Sequence, residues 1–118
     1  MLPVPERLRT NDQFQRVYKQ GESFVEGLVV LYLLRSPDEP VRQAGFSVSK
    51  KLGNAVVRNR VRRRLRESYH LLLPGLPHGY QAIFVARKAA AKADYPALDQ
   101  AMHKVLRRAG LLADPDMV

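Results

Sequence analysis

The chain has 118 residues, enough for one domain, and its 46% hydrophobic residues provide for one modest core. It contains no cysteine, which excludes disulfides, thiolate metal sites and cysteine nucleophiles and fits a reducing compartment. No apolar run reaches the roughly 18–20 residues of a membrane span, and the N-terminus lacks the pattern of a signal peptide, so we expect a cytoplasmic protein that does not associate with membranes.

The net charge of +9 is concentrated in one part of the chain. Between Lys50 and Arg66 there are eight cations and no acidic residue, whereas the other 12 Lys and Arg residues nearly balance all 11 Asp and Glu residues. A focused excess of positive charge creates a local potential that attracts a polyanion, whereas dispersed charge favours only solubility. We call Lys50–Arg66 the basic segment.

The N-terminal region is predicted to consist of an extended arm and a short helix. Residues 1–9 contain prolines and two arginines, which indicates an extended basic arm. Thr10 or Asn11 can cap the helix that follows. This helix continues through Tyr18, and Gly21 lies just past its end.

Strands are predicted on both sides of a Pro-containing turn. β-Branched and aromatic residues over 23–34 predict strand structure that is interrupted at Gly27. After the turn, residues 41–50 predict a further strand, on which Phe46 and Val48 alternate with serines so that one face is apolar.

The basic segment leads from this strand into a second helix, which Asn54 can cap and which ends at the Pro- and Gly-rich residues 74–79. Residues at helical spacing predict its buried stripe: Val57, Val61, Leu65, Ser68, Tyr69 and Leu72. Arg63 and Arg66 project opposite this stripe, and the other four arginines lie on its flanks. The helix is therefore anchored by one face and presents guanidinium groups on the others.

A strand over 80–86 and a last helix complete the predicted elements. Asp94 can cap this helix, Pro96 lies in its first turn, and Gly110 lies at its end. The tail, residues 111–118, is predicted to fray. The element order α-β-β-β-α-β-α indicates an α+β sandwich of helices against one small sheet, with the whole chain forming a single domain.

The residue types that protein catalysis or metal binding requires are not arranged in a recognisable pattern. His70, His78 and His103 are isolated, with no His, Cys or carboxylate at a chelating interval. Ser47 and Ser49 alternate on a strand without a histidine partner, which is typical of strand hydroxyls. We therefore predict no catalytic residue and no metal site on the protein itself.

The arginines of the second helix favour binding to a nucleic acid. A solvated helix face normally mixes charges, because like charges at i,i+4 repel by about 0.2–0.5 kcal/mol per pair. Here three such pairs are entirely positive: Arg58–Arg62, Arg60–Arg64 and Arg62–Arg66. An anionic partner would relieve this repulsion, and arginine is suited to forked contacts with phosphate.

The residues favour RNA over DNA as this partner but leave both open. Apart from Asn59, the helix offers no side chain of the kind that reads base edges in DNA. Single-stranded RNA is commonly bound by aromatic side chains. Phe14, Tyr18, Tyr32 and Phe46 are candidates, although spacing alone places each of them in the core.

The stretch Phe46–Arg66 resembles the signature of the bacterial ribonuclease P protein subunit. Its strand-loop-helix context and the sequence Arg58-Asn59-Arg60 carry the resemblance. The similarity extends over almost the whole chain. Residues 14–21 resemble the family's first helix, residues 29–32 a sheet strand, and residues 83–88 the last strand and its exit.

The resemblance implies a ribosomal protein S5 domain 2-like fold with a left-handed β-α-β crossover, whereas most such crossovers are right-handed. It also implies the role of a non-catalytic accessory subunit of an endoribonuclease. The protein would bind the catalytic RNA and the 5′ leader of precursor tRNA and promote removal of the leader. RNA and Mg²⁺ would carry the chemistry, the Mg²⁺ being held mainly by the RNA, with one protein on each RNA.

By the same resemblance, the functional residues fall on two surfaces. The basic surface would face the catalytic RNA and the leader near the cleavage site, and it comprises Lys50, Lys51, Asn54, Arg58, Asn59, Arg60, Arg62, Arg63 and Arg66. The leader cleft would lie between the first helix and the sheet, and it comprises Phe14, Tyr18 and Tyr32. One departure is that Gln43-Ala44-Gly45 stands where many members have a basic residue before the glycine, which leaves a phosphate contact there without support.

Three other functions are compatible with parts of this pattern. A ribosomal or RNA-chaperone protein of the same fold would co-purify with ribosomes rather than with a separate catalytic RNA. A metal-dependent nuclease would cleave RNA without an RNA subunit. This function is disfavoured because the chain has no recognisable group of His, Cys or carboxylate side chains at metal-binding spacing. A membrane-active basic helix is disfavoured because the apolar stripe belongs to a folded domain.

Overall fold

A computed structural model of the chain describes residues 7–113. Over this range the elements follow the predicted order: α1 (Asn11–Gln20), β1 (Glu22–Val25), β2 (Val29–Arg35), β3 (Arg42–Ser47), α2 (Ala55–Leu72), β4 (Tyr80–Ala86) and α3 (Tyr95–Arg108). Short 3-10 turns lie at Lys50–Leu52, Leu73–Gly75 and Lys88–Lys92. Residues 1–6, most of the predicted arm, lie outside the described range. Within that range no helix combines the length and the apolar character needed to cross a membrane.

Side-chain caps begin the three helices where the sequence predicts them. Thr10, rather than Asn11, caps α1: its hydroxyl accepts from the Gln13 backbone N–H at 3.1 Å, and the Gln13 side chain accepts from the Thr10 N–H at 3.1 Å. Asn54 caps α2 and Asp94 caps α3, each accepting from the N–H three residues further on at 3.0 and 2.9 Å. These bonds satisfy donors that a helix leaves unpaired at its start.

β3 is shorter than predicted. Its ladder with β4 stops at Ser47, so the strand ends there rather than at Lys50. The chain then forms a 3-10 turn that buries Leu52, at 8% exposed, while Lys50 and Lys51 stay exposed. Burying a leucine side chain stabilises the fold by about 1.5–3 kcal/mol, which favours the turn over a longer strand.

The four strands form one sheet in the order β1-β2-β4-β3. β1 with β2 and β2 with β4 are antiparallel, whereas β3 is parallel to β4 and α2 connects the two. This is the β-α-β crossover that the resemblance implies, and its handedness stays a prediction. β3 lies at the edge of the sheet, and near Ala44 its outer side bridges to Arg7.

The helices cover the two faces of the sheet unequally. α2 and α3 form the main core on one face, where Leu65 of α2, Met102 of α3 and Phe84 of β4 are fully buried. On the other face, α1 forms a smaller core around Val17 and Ile83, beside half-buried aromatic residues. Among residues 7–113, the second face is therefore covered by one helix of ten residues, α1.

The stripe predicted for α2 is the face that packs on the sheet. Val61, Leu65, Ser68 and Tyr69 are buried. The Ser68 hydroxyl donates to the Asp99 carboxylate of α3 at 2.7 Å, which satisfies this polar group inside the helix interface. Because this face is fixed, the directions of the arginines on the other faces are fixed as well.

Leu111, the first residue of the tail predicted to fray, packs against the core, and fraying of the tail as a whole stays a prediction. Leu111 is 7% exposed, and its N–H donates to the carbonyl of Leu106 at 3.0 Å. Gly110, with φ of 77°, provides the turn that brings Leu111 back onto α3. Residues 114–118 lie outside the described range.

Candidate nucleic-acid interface

The basic segment begins with a turn that presents Lys50 and Lys51 to solvent. Gly53 follows with φ of 146°, where L side chains are strained, and a Cβ at this position would lie 3.2 Å from Val57. Asn54, predicted as an RNA contact, uses its side-chain oxygen to cap α2. The cap and the glycine together fix the lysines relative to the start of the arginine helix.

The arginines of α2 take the directions that the buried stripe predicts. Arg63 and Arg66 are exposed. The flanking arginines are half-buried: Arg58, Arg60, Arg62 and Arg64. The Arg62 guanidinium donates to the side-chain oxygen of Asn59 at 3.1 Å. Arg62 and Asn59, both predicted to contact RNA, are therefore hydrogen-bonded to each other on the helix surface.

Two of the flanking arginines hydrogen-bond to the protein's own backbone. Arg60 donates to the carbonyl oxygen of Ala91 at 3.1 Å, and Arg64 donates to that of Ala93 at 3.0 Å. These carbonyls lie in and just after the 3-10 turn that follows β4. Arg60, which the family motif assigns to RNA, therefore also fixes this turn against α2.

The turn held by these arginines adds lysines to the basic surface. Lys88 and Lys92 are exposed and, with Lys51, line a cavity of about 470 Å³ whose other lining residues are Leu52, Ala89 and Ala91. Neither Lys88 nor Lys92 was among the predicted site residues. The available signal was the absence of any acidic residue between Glu67 and Asp94, which leaves these cations unbalanced.

No carboxylate among the described residues pairs with the basic segment. The ion pairs within residues 7–113 are Arg35–Glu22, His103–Asp99 and Arg108–Glu26. Burial, followed by the charges of Arg62 and Arg7, lowers the pKa of Arg66 from its ordinary value. The basic surface therefore carries positive charge that the described part of the protein does not compensate.

The predicted leader-cleft residues lie together between α1 and the sheet. The ring centroids of Tyr18 and Tyr32 are 4.9 Å apart at an interplanar angle of 82°, and those of Phe14 and Tyr18 are 6.5 Å apart at 45°. All three rings are half-buried, so each packs on the smaller core and keeps part of its surface accessible. Phe46, the fourth aromatic candidate, instead stacks on Phe84 of the main core at 5.6 Å.

The leader cleft and the basic surface meet at a cavity beside β3. Its volume is about 160 Å³, and it is lined by Arg7, Leu8, Phe14, Ala44, Gly45, Phe46 and Arg66. Gly45 makes room for the aromatic ring, because a Cβ there would lie 2.5 Å from the Phe14 Cζ. Phe14 and Arg66 therefore share one cavity, whereas Tyr18 and Tyr32 are not part of its lining. Arg7 is a lining residue that the sequence did not single out.

At the start of β3, where the resemblance leads us to expect a basic residue, Gln43 and Arg42 both form hydrogen bonds within the protein. Gln43 accepts a hydrogen bond from the Gln81 side chain at 2.7 Å. Arg42 donates to the carbonyl oxygens of Leu73 and Leu76, just past the end of α2, at 3.1 and 3.3 Å. Arg42 therefore stabilises the fold, because it satisfies carbonyl oxygens near the end of α2.

Comparison with known proteins identifies the family. A family model described as Ribonuclease P matches residues 2–110. The chain belongs to the ribonuclease P protein family. It is 39% identical over 110 residues to the ribonuclease P protein component of Caldanaerobacter subterraneus subsp. tengcongensis, which covers 93% of this chain and 94% of that protein. It is 42% identical over 106 residues to that of Symbiobacterium thermophilum, covering 90% and 92%.

Solved ribonuclease P proteins have the same fold. The Staphylococcus aureus protein superimposes with a TM-score of 0.84 at 31% identity, covering 92% of this chain and 98% of that one. The Thermotoga maritima protein, at 24% identity, gives a TM-score of 0.78 over 87% and 96% of the two chains and supports the fold alone. The predicted α+β fold is confirmed, and family membership assigns the chain to tRNA processing as part of ribonuclease P, an RNA-containing endoribonuclease complex.

Proposed function

We propose that the chain is the non-catalytic protein subunit of a bacterial ribonuclease P, and that it binds the catalytic RNA and the 5′ leader of precursor tRNA to promote removal of the leader. It acts in the cytoplasm, with one protein on each RNA. The observation that carries the proposal is the junction of two surfaces. The uncompensated basic surface and the aromatic cleft share a cavity through Arg66 and Phe14.

The basic surface supplies electrostatic affinity for the RNA backbone. Eight cations lie within the basic segment, and Lys88 and Lys92 extend the same surface beyond it. A precursor with a leader carries more phosphates than the mature tRNA, and its approach to an RNA catalyst is opposed by like charge. Each phosphate neutralised by the protein releases counterions and contributes roughly 0.7–0.9 to the slope of log affinity against log salt concentration.

The aromatic cleft supplies contacts that an unpaired strand can use. Phe14 and Tyr18 on α1 and Tyr32 on β2 are half-buried, so their rings keep accessible surface. Stacking of one base on an aromatic side chain contributes about 1–3 kcal/mol and tolerates any sequence, as a leader of variable sequence requires. The cleft therefore favours the precursor over the mature product, which lacks the leader.

The chemistry of cleavage is assigned to the RNA and to Mg²⁺ held mainly by it. Within residues 7–113 there is no group of three His, Cys, Asp or Glu side chains placed to hold a metal ion, so the proposal gives the protein no metal-dependent step. The protein's own contribution is to bind and orient the precursor and to reduce repulsion between two RNAs.

Cleavage of precursor tRNA by the RNA subunit at low Mg²⁺, with and without the protein, tests the proposal. Stimulation that falls steeply with added salt is expected, and the protein without the RNA subunit should be inactive. An absence of stimulation at every Mg²⁺ concentration would rule out the proposed role. Sequencing of the RNA that co-purifies with the protein separates this function from that of a ribosomal protein, which would bring down ribosomal RNA.

A further inference from the structure

The cavity at the edge of β3 lies between Arg7 and Leu8 on one side and Arg66 of α2 on the other. The Leu8 N–H donates to the carbonyl oxygen of Ala44 at 3.1 Å, and Arg7 forms a parallel bridge with Ala44. Leu8 is 7% exposed, so its side chain anchors this part of the backbone, residues 7 and 8, on the smaller core. This anchoring places the Arg7 side chain in the lining of the cavity that Arg66 of α2 also lines.

Within the described part of the chain, both arginines lack a compensating partner. Among residues 7–113, neither Arg7 nor Arg66 forms a hydrogen bond or an ion pair through its guanidinium group, and the Arg7 Nε is buried without an acceptor. Burial, followed by the charges of Arg62 and Arg7, lowers the pKa of Arg66. A buried donor without an acceptor is costly, and so is repulsion between neighbouring cations, and a bound anion would relieve both.

We propose that Arg7 and Arg66 together bind one phosphodiester group of single-stranded RNA at the edge of β3. The inference rests on the proposed function, because it identifies a contact for the RNA that enters the leader cleft. The remaining lining suits the rest of a nucleotide. Leu8, Phe14 and Phe46 provide apolar surface, and Gly45 leaves the ring of Phe14 accessible from the cavity.

Phosphate geometry favours this pairing. Each guanidinium is a planar fork of donors that can contact two phosphate oxygens, and two forks on opposite elements can bind one phosphate from two sides. Arg7 lies beside β3 and Arg66 in α2, so the site exists only when Arg7 and Leu8 are held against β3. Arg7 is therefore part of the RNA-binding surface, whereas Arg9 lies outside the cavity.

A double-mutant cycle, in which an arginine of the protein and a phosphate of the leader are changed separately and together, tests the inference. The reconstituted complex of RNA subunit and protein is titrated with precursor tRNAs in which a single leader linkage is a neutral methylphosphonate. With the wild-type protein, replacement at one linkage should weaken binding by about fivefold, as for a partly exposed charge pair. With Arg7→Gln or Arg66→Gln, replacement at that same linkage should change the affinity by less than about twofold, because the contact is already lost.

Arg9→Gln is the matched control, since it removes the same charge from the same arm at an exposed residue outside the cavity lining. This variant should keep the full sensitivity to the linkage. The inference is overturned if the glutamine variants at Arg7 and Arg66 remain as sensitive as wild type at every linkage, with cooperative thermal unfolding confirming that they fold. If the wild-type complex binds precursor no better than mature tRNA, the proposed function itself fails, which is a different and recognisable result.

Discussion

Arg60 donates a hydrogen bond of 3.1 Å to the carbonyl oxygen of Ala91, although the two residues are 31 positions apart in the sequence. α2 therefore carries two kinds of arginine. Arg60 and Arg64 bind the backbone of the turn after β4, whereas Arg63 and Arg66 have no hydrogen-bond or ion-pair partner among residues 7–113. One run of cations thus serves both the fold and the RNA surface.

Arg60→Ala and Arg63→Ala should separate these two roles. Arg60→Ala removes a charged donor from a partly buried carbonyl and should lower the free energy of unfolding by about 1–2 kcal/mol. Arg63→Ala removes an exposed side chain and should change it by less than about 0.5 kcal/mol. Urea denaturation of the two variants measures the difference.

Arg63→Ala should also weaken RNA binding. Arg63→Ala should reduce the salt-dependence slope of RNA binding by roughly 0.7–0.9, since one phosphate contact is lost. Equal stability losses for the two variants would show that the hydrogen bond to Ala91 contributes nothing to the fold.

The sequence predicted the periodic features of this protein and missed the contacts between distant elements. The stripe around Val61 and Leu65, and hence the direction of Arg63, follows from a helix repeat that any 18-residue amphipathic segment shows. The contact between Arg60 and Ala91 depends on how α2 packs beside β4, which no local pattern encodes. The family resemblance supplied the leader cleft, because spacing alone placed Phe14 in the core.

The positions of Leu111 and Arg7 likewise depend on contacts between distant parts of the chain. Leu111 lies beyond the last helix, where local sequence predicts fraying, yet the apolar surface of α3 offers it a buried position. Arg7 belongs to an arm without secondary-structure periodicity, and its position follows from the bridge to Ala44 on an edge strand. In both cases tertiary burial decided a conformation that local propensity left undetermined.

Gly45→Ala should disturb the junction between the cleft and the basic surface. The new Cβ would lie 2.5 Å from the Phe14 Cζ, so the ring must move out of its present position. We expect a loss of about 1–3 kcal/mol in the free energy of unfolding, together with weaker binding of leader-bearing precursor. Thermal or urea unfolding and precursor titration measure the two effects.

Gly27→Ala is the control for this substitution. Gly27 has no atom within 4 Å of an added Cβ and does not have a positive φ. Alanine there should be neutral or should stabilise the protein by up to about 1 kcal/mol, by restricting the unfolded chain. If both alanine variants behaved alike, the close approach of Gly45 and Phe14 would have no energetic consequence.

Phe14→Ala and Tyr18→Ala should weaken binding of precursor tRNA more than binding of mature tRNA. Removing one stacking surface costs about 1–3 kcal/mol, which corresponds to roughly five- to 150-fold in affinity for the leader-bearing substrate. Phe24→Ala is the matched control, because Phe24 is half-buried against the main core, away from the cleft. A uniform loss for precursor and mature tRNA would show that the cleft does not contact the leader.

Lys88→Ala and Lys92→Ala should weaken RNA binding, although neither lysine was predicted from the sequence. Both are exposed on the turn that Arg60 fixes, and they line one cavity with Lys51. Each substitution should reduce the salt-dependence slope by roughly 0.7–0.9 if the lysine contacts one phosphate. Lys104→Ala removes the same charge from an exposed position on α3 and should leave the slope unchanged. If all three variants kept the salt-dependence slope of the wild type, the RNA surface would be confined to the basic segment. A reduced slope for Lys88→Ala and Lys92→Ala, with an unchanged slope for Lys104→Ala, extends this surface across the turn after β4.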